Sequence, residues 1–349
     1  MGYLMNADKV LPQVLKSYQE ELQAELKAIV GAEPLALYDM LRYHMGWQDE
    51  DGRVSRQRAG KLMRPALCLL SCEAVGGDGG QILPAAAALE LVHNFSLIHD
   101  DIEDNDSMRH NRLTVWKLWG QAQGINAGDA MLALAHLAVL RLKEKGISDN
   151  RILHCAMMLT QACLRLCEGQ YLDMSYENRL DVTSQEYLSM IAKKTAALLG
   201  TSSCLGAFLG TEDEKRVACF YQFGKELGLA FQIHDDILGI WGVEERTGKS
   251  KSSDISKRKK TLPVLYGLSE ASGVVKEELA TLYSQESIGG EDIARIAKII
   301  DETGARAYAQ GLAKEHYHQS LAQLETTGLA EAQLTQLRQL VFSLMERNY

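Results

Sequence analysis

Proline is scarce: 5 residues in 349, with aromatic side chains at only 7%. Because proline breaks helix interiors, its scarcity beside abundant Ala and Leu favours helices. No convincing period-two run marks a strand or hairpin. Basic charge is not in excess either: the formal net charge is -9, without the basic footprint of a general nucleic-acid binder. The 7 cysteines form no Cys-x-x-Cys pair and no metal-finger spacing. Cys68/Cys72 and Cys163/Cys167 stand one helical turn apart, and all seven are read as reduced core thiols. No signal-peptide, myristoylation or prenylation pattern is present. The apolar run 131–140 is too short to span a bilayer. A cytoplasmic protein without a transmembrane segment is the expectation.

Hydrophobic residues are 46% of the chain and charged residues 24%, enough for a sizeable core in an ordinary globular balance. Apolar stripes at helical period predict helices over about 10–30, 35–43, 129–145, 151–171, 184–200 and 214–240. Further helices are expected over 262–268, 290–303, 305–324 and 330–348. Polar or glycine-rich stretches at 46–60, 76–80 and 242–260 separate them. Pro65 and Pro84 suit first helical turns. Gly224 and Gly228 would admit a close neighbour. With no linker visible, residues 1–349 are read as a single all-α domain.

One stretch occurs twice. Ile98-His99-Asp100-Asp101-Ile102 and Ile233-His234-Asp235-Asp236-Ile237 each close an apolar helix. A helix C-terminus carries partial negative charge, so carboxylates there are disfavoured, and near an apolar core they repel and lose hydration. Something cationic is therefore expected with them. Asp100 and Asp104 share a helix face with Asp101 beside them. Oxygen-only ligands at this spacing suit Mg²⁺, which commonly completes its octahedron with water and phosphate oxygens. Two such clusters facing one cavity would bind several Mg²⁺ ions and, through them, a diphosphate. His99 and His234 are read as packing residues, since adjacent helical positions do not share a face. Lys194, among Ala192, Ala196 and Ala197, is expected to project inward towards an anion, because a buried lysine needs a partner.

These motifs resemble the trans-isoprenyl diphosphate synthases (polyprenyl synthetases) over roughly residues 60–265. Gly60-Lys61-Leu62-Met63-Arg64-Pro65 is similar to the family's G-K-x-x-R-P. Asp100–Asp104 is similar to D-D-x-x-D, Lys194-Thr195 to the K-T pair, and Phe231–Asp236 to F-Q-x-x-D-D. Thr247-Gly248-Lys249, Asp254 and Lys260-Thr261-Leu262-Pro263 resemble the tail that follows. The resemblance implies a large isoprenoid synthase-like helical bundle with a central cavity, working as a homodimer. It implies Mg²⁺ ions, three with substrate bound, held by Asp100, Asp101, Asp104, Asp235 and Asp236. Arg109, Lys194, Lys249 and Lys260 are implied at the allylic diphosphate (dimethylallyl, geranyl or farnesyl). Lys61, Arg64 and His93 are implied at isopentenyl diphosphate, and Thr195 and Gln232 near the developing cation. The implied reaction is head-to-tail condensation, with the metals stabilising the departing diphosphate.

Two positions depart from the family pattern. Gly239 stands where the second motif ends in a third Asp, and Arg109-His110-Asn111 replaces Arg-Arg-Gly. Arg112 is close enough in sequence to substitute for the missing arginine. Phe95 and Ser96, just ahead of the first motif, are the implied determinants of chain length and point to a geranylgeranyl product. A class I terpene cyclase shares part of the pattern but has no need of Lys61, Arg64 and His93. Gly239 and His110 would also suit a non-catalytic partner subunit.

Overall fold

The structure is a computed structural model that describes residues 18–55, 62–242, 252–285 and 287–345. Lys61 and Lys249, together with Gly60, Thr247 and Gly248, lie outside the described residues. Helices α1 (Gln19–Val30), α2 (Ala36–His44) and α3 (Met63–Ala74) lead through a 3-10 turn (Gly79–Ile82) into α4 (Leu83–Glu103). A two-stranded hairpin, β1 (Met108–Arg109) and β2 (Arg112–Leu113), follows. Then come α5 (Val115–Trp119), α6 (Gln121–Leu140) and α7 (Asp149–Tyr176). Helix α8 (Ser184–Ile191) passes through a π turn (Ala192–Ala196) into α9 (Ala197–Gly210), and α10 runs Glu214–Trp241. The rest is α11 (Ser253–Ser256), α12 (Leu262–Glu270), α13 (Gly273–Tyr283), α14 (Gly290–Glu302), α15 (Ala305–Thr326) and α16 (Glu331–Met345). The all-α expectation holds.

The chain divides into two compact units. One comprises residues 1–163, 201–221 and 327–343; the other 164–200, 222–326 and 344–349. In the first, α4 is the central helix, with Ala85 to Leu89 fully buried and Pro84 in its first turn. It packs most extensively against α6. In the second, Ile233 and Ile237 of α10 meet Tyr187, Met190 and Ile191 of α8 in one apolar cluster with Leu262 and Leu265.

Three local expectations are corrected. The hairpin was not visible because two residues per strand are too few for a period. Its turn, His110 (φ 51) and Asn111 (φ 60), is left-handed at both positions. This two-residue geometry favours Asn, and it explains why Asn111 can stand where the family has Gly. The helix expected over 184–200 is instead broken by the π turn and resumes as far as Gly210. A π turn inserts one residue into the helix and often marks a functional position. Finally, Cys167 is exposed and Cys219 half-buried, whereas the other five thiols are buried; all seven are free.

Among the described residues, two helices are long and apolar enough to cross a membrane by composition, 79–103 and 121–145. The apolar window of the first is 83% buried and belongs to the core; that of the second is 39% buried. The ten-residue run at 131–140 therefore sits in a helix longer than the run itself suggests. Ile125, Leu137 and Leu140 are exposed on it, and a shallow, open apolar depression is lined by Leu132, His136, Leu137 and Leu140.

Candidate active site

In the first unit, α4 ends at the first aspartate motif, and its C-cap Asp104 closes the last turn by donating its N–H to the Asp100 carbonyl at 2.8 Å. The three motif carboxylates are not equivalent. Asp100 and Asp104 are half-buried, whereas Asp101 is only 1% exposed. The Arg109 guanidinium lies on Asp101, with Nε and Nη2 each 2.8 Å from Oδ1. Burial pushes the Asp101 carboxyl up to about 6, against the pull of Arg109. Arg109 is thus held by the motif itself, through a hairpin that brings it back over the helix end.

Behind the motif the guanidiniums of Arg64 and Arg109 stand among the imidazoles of His93, His44 and His110. His93 is crowded by Arg64, Arg109, His44 and His110, and with its burial these keep the imidazole well below its usual range. His44, from α2, is likewise pushed down to about 3 by burial and then by Arg109 and His110. Burial lowers Arg64 to about 10, opposed by the charge of Glu90. Glu90 is 3% exposed, and its Oε1 accepts from Asn94 Nδ2 at 3.1 Å. Arg112 does not replace the missing arginine. It donates to the Tyr43 carbonyl (3.0 Å) and the Gln48 carbonyl (2.8 Å) and lies 3.8 Å from the centre of the Tyr43 ring. Its guanidinium is occupied in holding the 46–55 loop.

Phe95 is 4% exposed and meets the His99 ring edge-on at 5.8 Å. Ser96 is buried, its hydroxyl donating to the His93 carbonyl at 2.8 Å. His99 contacts the Ile125 carbonyl at 3.3 Å and Asp129 at 3.7 Å on α6. That is a packing role, as its place in the motif predicts.

In the second unit the π turn carries Lys193, Lys194 and Thr195. Lys194 Nζ donates to Asp173 on α7 at 2.6 Å, so a protein carboxylate holds the place expected for an anion. The backbone of this turn lies directly on Gly169: a Cβ there would fall 2.2 Å from Lys194 N. On α10, Asp235 is half-buried and Asp236 is 3% exposed. Asp236 accepts from Tyr187 Oη, from Gln232 Nε2 at 3.1 Å and from the Leu262 N–H at 3.4 Å. Burial pushes its carboxyl up to about 7 despite these bonds. Thr195 Oγ1 donates to Gln232 Oε1 at 2.8 Å. Gly228, as its sequence position suggested, admits a close neighbour: a Cβ there would lie 2.6 Å from Ala196 Cα.

Gly239, where the family has a third Asp, is filled from elsewhere. A Cβ on it would meet Asp254 Oδ2 at 1.8 Å, so the Asp254 carboxylate stands against the backbone where the missing side chain would begin. Lys260 is 6% exposed and lies 4.7 Å from the centre of the Tyr283 ring. Burial pulls it down to about 8, with Arg258 adding to the effect.

The metal expectation is narrowed by this geometry. Asp100, Asp104 and Asp235 are half-buried hard oxygen donors, whereas Asp101 and Asp236 are almost closed to solvent. Among the described residues no three His, Cys, Asp or Glu side chains converge as a metal cage. The donor set suits a cation that keeps water and shares its shell with phosphate oxygens, as Mg²⁺ does. His44, Glu90, Asn94, Asp173, Tyr187 and Asp254 were not singled out as site groups from sequence, apart from Asp254 as part of a motif. Glu90 had a signal, being one acid in a run of Ala and Leu; Tyr187 had none.

A polyprenyl synthetase family model matches residues 51–301. The (2E,6E)-farnesyl diphosphate synthase of Mycobacterium tuberculosis is 34% identical over 344 residues, 98% of this chain and 91% of that protein. The geranylgeranyl diphosphate synthase of the same organism is 39% identical over 292 residues, 84% of this chain and 82% of that one. Among solved structures, a polyprenyl synthetase from Streptomyces coelicolor superposes with TM-score 0.87 at 35% identity, covering 97% of this chain and 99% of that one. A geranylgeranyl pyrophosphate synthase from Corynebacterium glutamicum, complexed with isoprenyl diphosphate and magnesium, gives 0.80 at 25% identity, covering 99% of this chain and 100% of that one. On the family match, the relatives and the residues described above, the chain belongs to the polyprenyl synthetase family.

Proposed function

We propose that this trans-prenyltransferase condenses isopentenyl diphosphate head-to-tail with an allylic diphosphate, and that geranylgeranyl diphosphate is its product. The observation that supports it best is the pairing of two different kinds of anion group in one chain. Half-exposed carboxylates (Asp100, Asp104, Asp235) suit a metal-bound diphosphate. The guanidiniums of Arg64 and Arg109, with the neutral imidazole of His93 beside them, suit a second diphosphate approached without metal. A single-substrate cyclase has no use for that second set.

In this reading Asp100, Asp104 and Asp235 hold Mg²⁺, three ions with substrate bound, and Asp101 serves by fixing Arg109. The metal supplies stabilisation of the departing diphosphate charge. Lys194 exchanges Asp173 for the allylic diphosphate, and Thr195 and Gln232 border the reacting carbon. The allylic C–O bond breaks to release the diphosphate, the isopentenyl double bond attacks that carbon, and the proton lost as the new double bond forms passes to the released diphosphate. Apolar walls keep water from the cation. Lys61 and Lys249 are assigned by motif alone, and Lys260, whose ammonium lies over the Tyr283 ring, is assigned to the substrate diphosphate. The exposed apolar residues of α6 (Ile125, Leu137, Leu140) are read as part of a homodimer face, since exposed apolar side chains are what such a face buries. The whole chain is taken as one catalytic domain acting in the cytoplasm.

The test is direct. Purified chain with Mg²⁺, isopentenyl diphosphate and each allylic diphosphate in turn should yield a 20-carbon product. Asp100→Ala should reduce turnover by at least 100-fold. Product formed only after addition of a partner subunit would overturn the reading, and so would unchanged turnover in the variant.

A further inference from the structure

Two residues per strand and a left-handed turn without glycine give the 108–113 hairpin little stability of its own. Its support comes from α2. Arg112 Nη1 donates to the Tyr43 carbonyl at 3.0 Å and Nη2 to the Gln48 carbonyl at 2.8 Å, while its central carbon lies 3.8 Å from the centre of the Tyr43 ring. Tyr43 completes the contact in the other direction, its Oη donating to the Leu113 carbonyl at 2.7 Å. Tyr43 is itself fixed, being 3% exposed and edge-on to Trp119 at 5.1 Å. At the base of the hairpin, Thr114 Oγ1 and Trp116 Nε1 each donate to the Asp106 carbonyl at 2.8 Å. Strand β2 is thus bound to α2, and its pairing with β1 sets Arg109 directly opposite Arg112. Like charges so placed repel, so each arginine needs partners of its own. Asp101 serves Arg109, and Tyr43 with the Gln48 carbonyl serves Arg112.

We propose that Tyr43 and Arg112 are positioning residues for Arg109: they clamp the hairpin to α2, so that the Arg109 guanidinium meets the diphosphate of isopentenyl diphosphate at a fixed place. The proposal rests on the prenyl-transfer reading for the identity of that anion; the clamp itself does not. Arg109 gives Nε and Nη2 to one oxygen of Asp101. A guanidinium carries its N–H groups in a rigid fork, so this contact leaves the Nη1 edge for a second anion, on a side chain 28% exposed. Arg112 spends its own fork on backbone carbonyls and a ring. Its effect on substrate is therefore exerted through Arg109. His44, next to Tyr43 on α2, is close enough to Arg109 and His110 for their charges to act on its imidazole. The same helix thus approaches the hairpin at its turn as well as along β2.

The experiment compares Arg112→Gln, Arg112→Lys, Tyr43→Phe, Arg109→Gln and the double variant Arg109→Gln with Arg112→Gln, each in the full chain. It reads kcat, KM for each diphosphate substrate, and amide hydrogen exchange over 106–114 without substrate. Arg112→Gln should raise KM for isopentenyl diphosphate about 10- to 100-fold, the scale of a group misplaced by about 1 Å. KM for the allylic diphosphate should stay within about twofold of the parent, as for an independent site. Arg112→Lys keeps the charge but loses the fork, and should recover only a small part of the loss. Tyr43→Phe keeps the ring and loses the bond to Leu113. It should raise the same KM to a lesser degree, and it serves if Arg112→Gln does not fold. Both variants should speed exchange at 107–114 by about tenfold or more, since local opening then costs less. Arg112→Gln added to Arg109→Gln should cost far less than it does alone, because coupled residues are non-additive. An equal rise in both KM values, full recovery by Arg112→Lys, additive Arg109 and Arg112 effects, or unchanged exchange in either clamp variant would each overturn the proposal. If the unaltered chain makes no prenyl product, the reaction reading fails, and hydrogen exchange still decides whether Tyr43 and Arg112 hold the hairpin.

Discussion

Restoring an aspartate at Gly239 would repair the motif on paper and damage the protein. Its Cβ would fall 1.8 Å from Asp254 Oδ2, placing two carboxylates in one space, with overpacking that costs about 1–3 kcal/mol before charge repulsion. Gly239→Asp should therefore lower the thermal midpoint, and Gly239→Asp with Asp254→Gly should recover part of it; no loss in the single variant would contradict the close approach. A pH effect belongs to the same scale. His44 is held near 3, below the ordinary 6.5 of an unfolded chain, chiefly by burial. A depressed histidine contributes stability that is complete above about pH 6.5 and lost as the pH falls. One such proton gives a slope of at most about 1.4 kcal/mol per pH unit. Denaturant midpoints between pH 7.5 and 5 should fall less steeply in His44→Gln than in the parent; equal slopes would remove His44 as the cause. The aspartates were legible in the sequence as types and spacing. Their division into buried (Asp101, Asp236) and half-exposed (Asp100, Asp104, Asp235) was not, because it depends on Arg109 returning through a hairpin the sequence did not reveal and on Tyr187 and Leu262, which are distant in the chain.

Helices fared differently from turns. A strongly amphipathic stretch such as α14 carries its period openly, and its limits were close to the expected ones. The break inside 184–210 was hidden, since Ala192–Ala196 has the composition of ordinary helix and the π turn is imposed by packing against Gly169. Gly169→Val should push the turn back, with a loss of Lys194 and Thr195 function that exceeds the loss of stability. kcat should fall by at least tenfold, whereas core overpacking costs only about 1–3 kcal/mol in unfolding experiments. A variant equally active would show that the close approach has no functional weight. The hairpin at 108–113 was equally hidden, yet His110-Asn111 is a recognisable two-residue turn once its left-handed dihedrals are known.

For the molecule as a whole, helical class and family followed from composition and from motifs in order, since neither depends on which distant residues meet. Assembly is where the exposed residues speak. Ile125, Leu137 and Leu140 on α6 remain between 48% and 56% exposed, a surface that a second copy would cover. Sedimentation should show a dimer, and Leu137→Glu with Leu140→Glu should yield a monomer; a monomeric parent would remove this assignment.

The central proposal is that each aspartate motif binds metal-held diphosphate. Calorimetric titration of the chain with inorganic pyrophosphate and Mg²⁺ together, without turnover, measures it most directly. Asp100→Ala and Asp235→Ala should each weaken that binding at least tenfold, with no binding in either case when Mg²⁺ is omitted. Unchanged binding in either variant, or pyrophosphate binding indifferent to Mg²⁺, would contradict the claim.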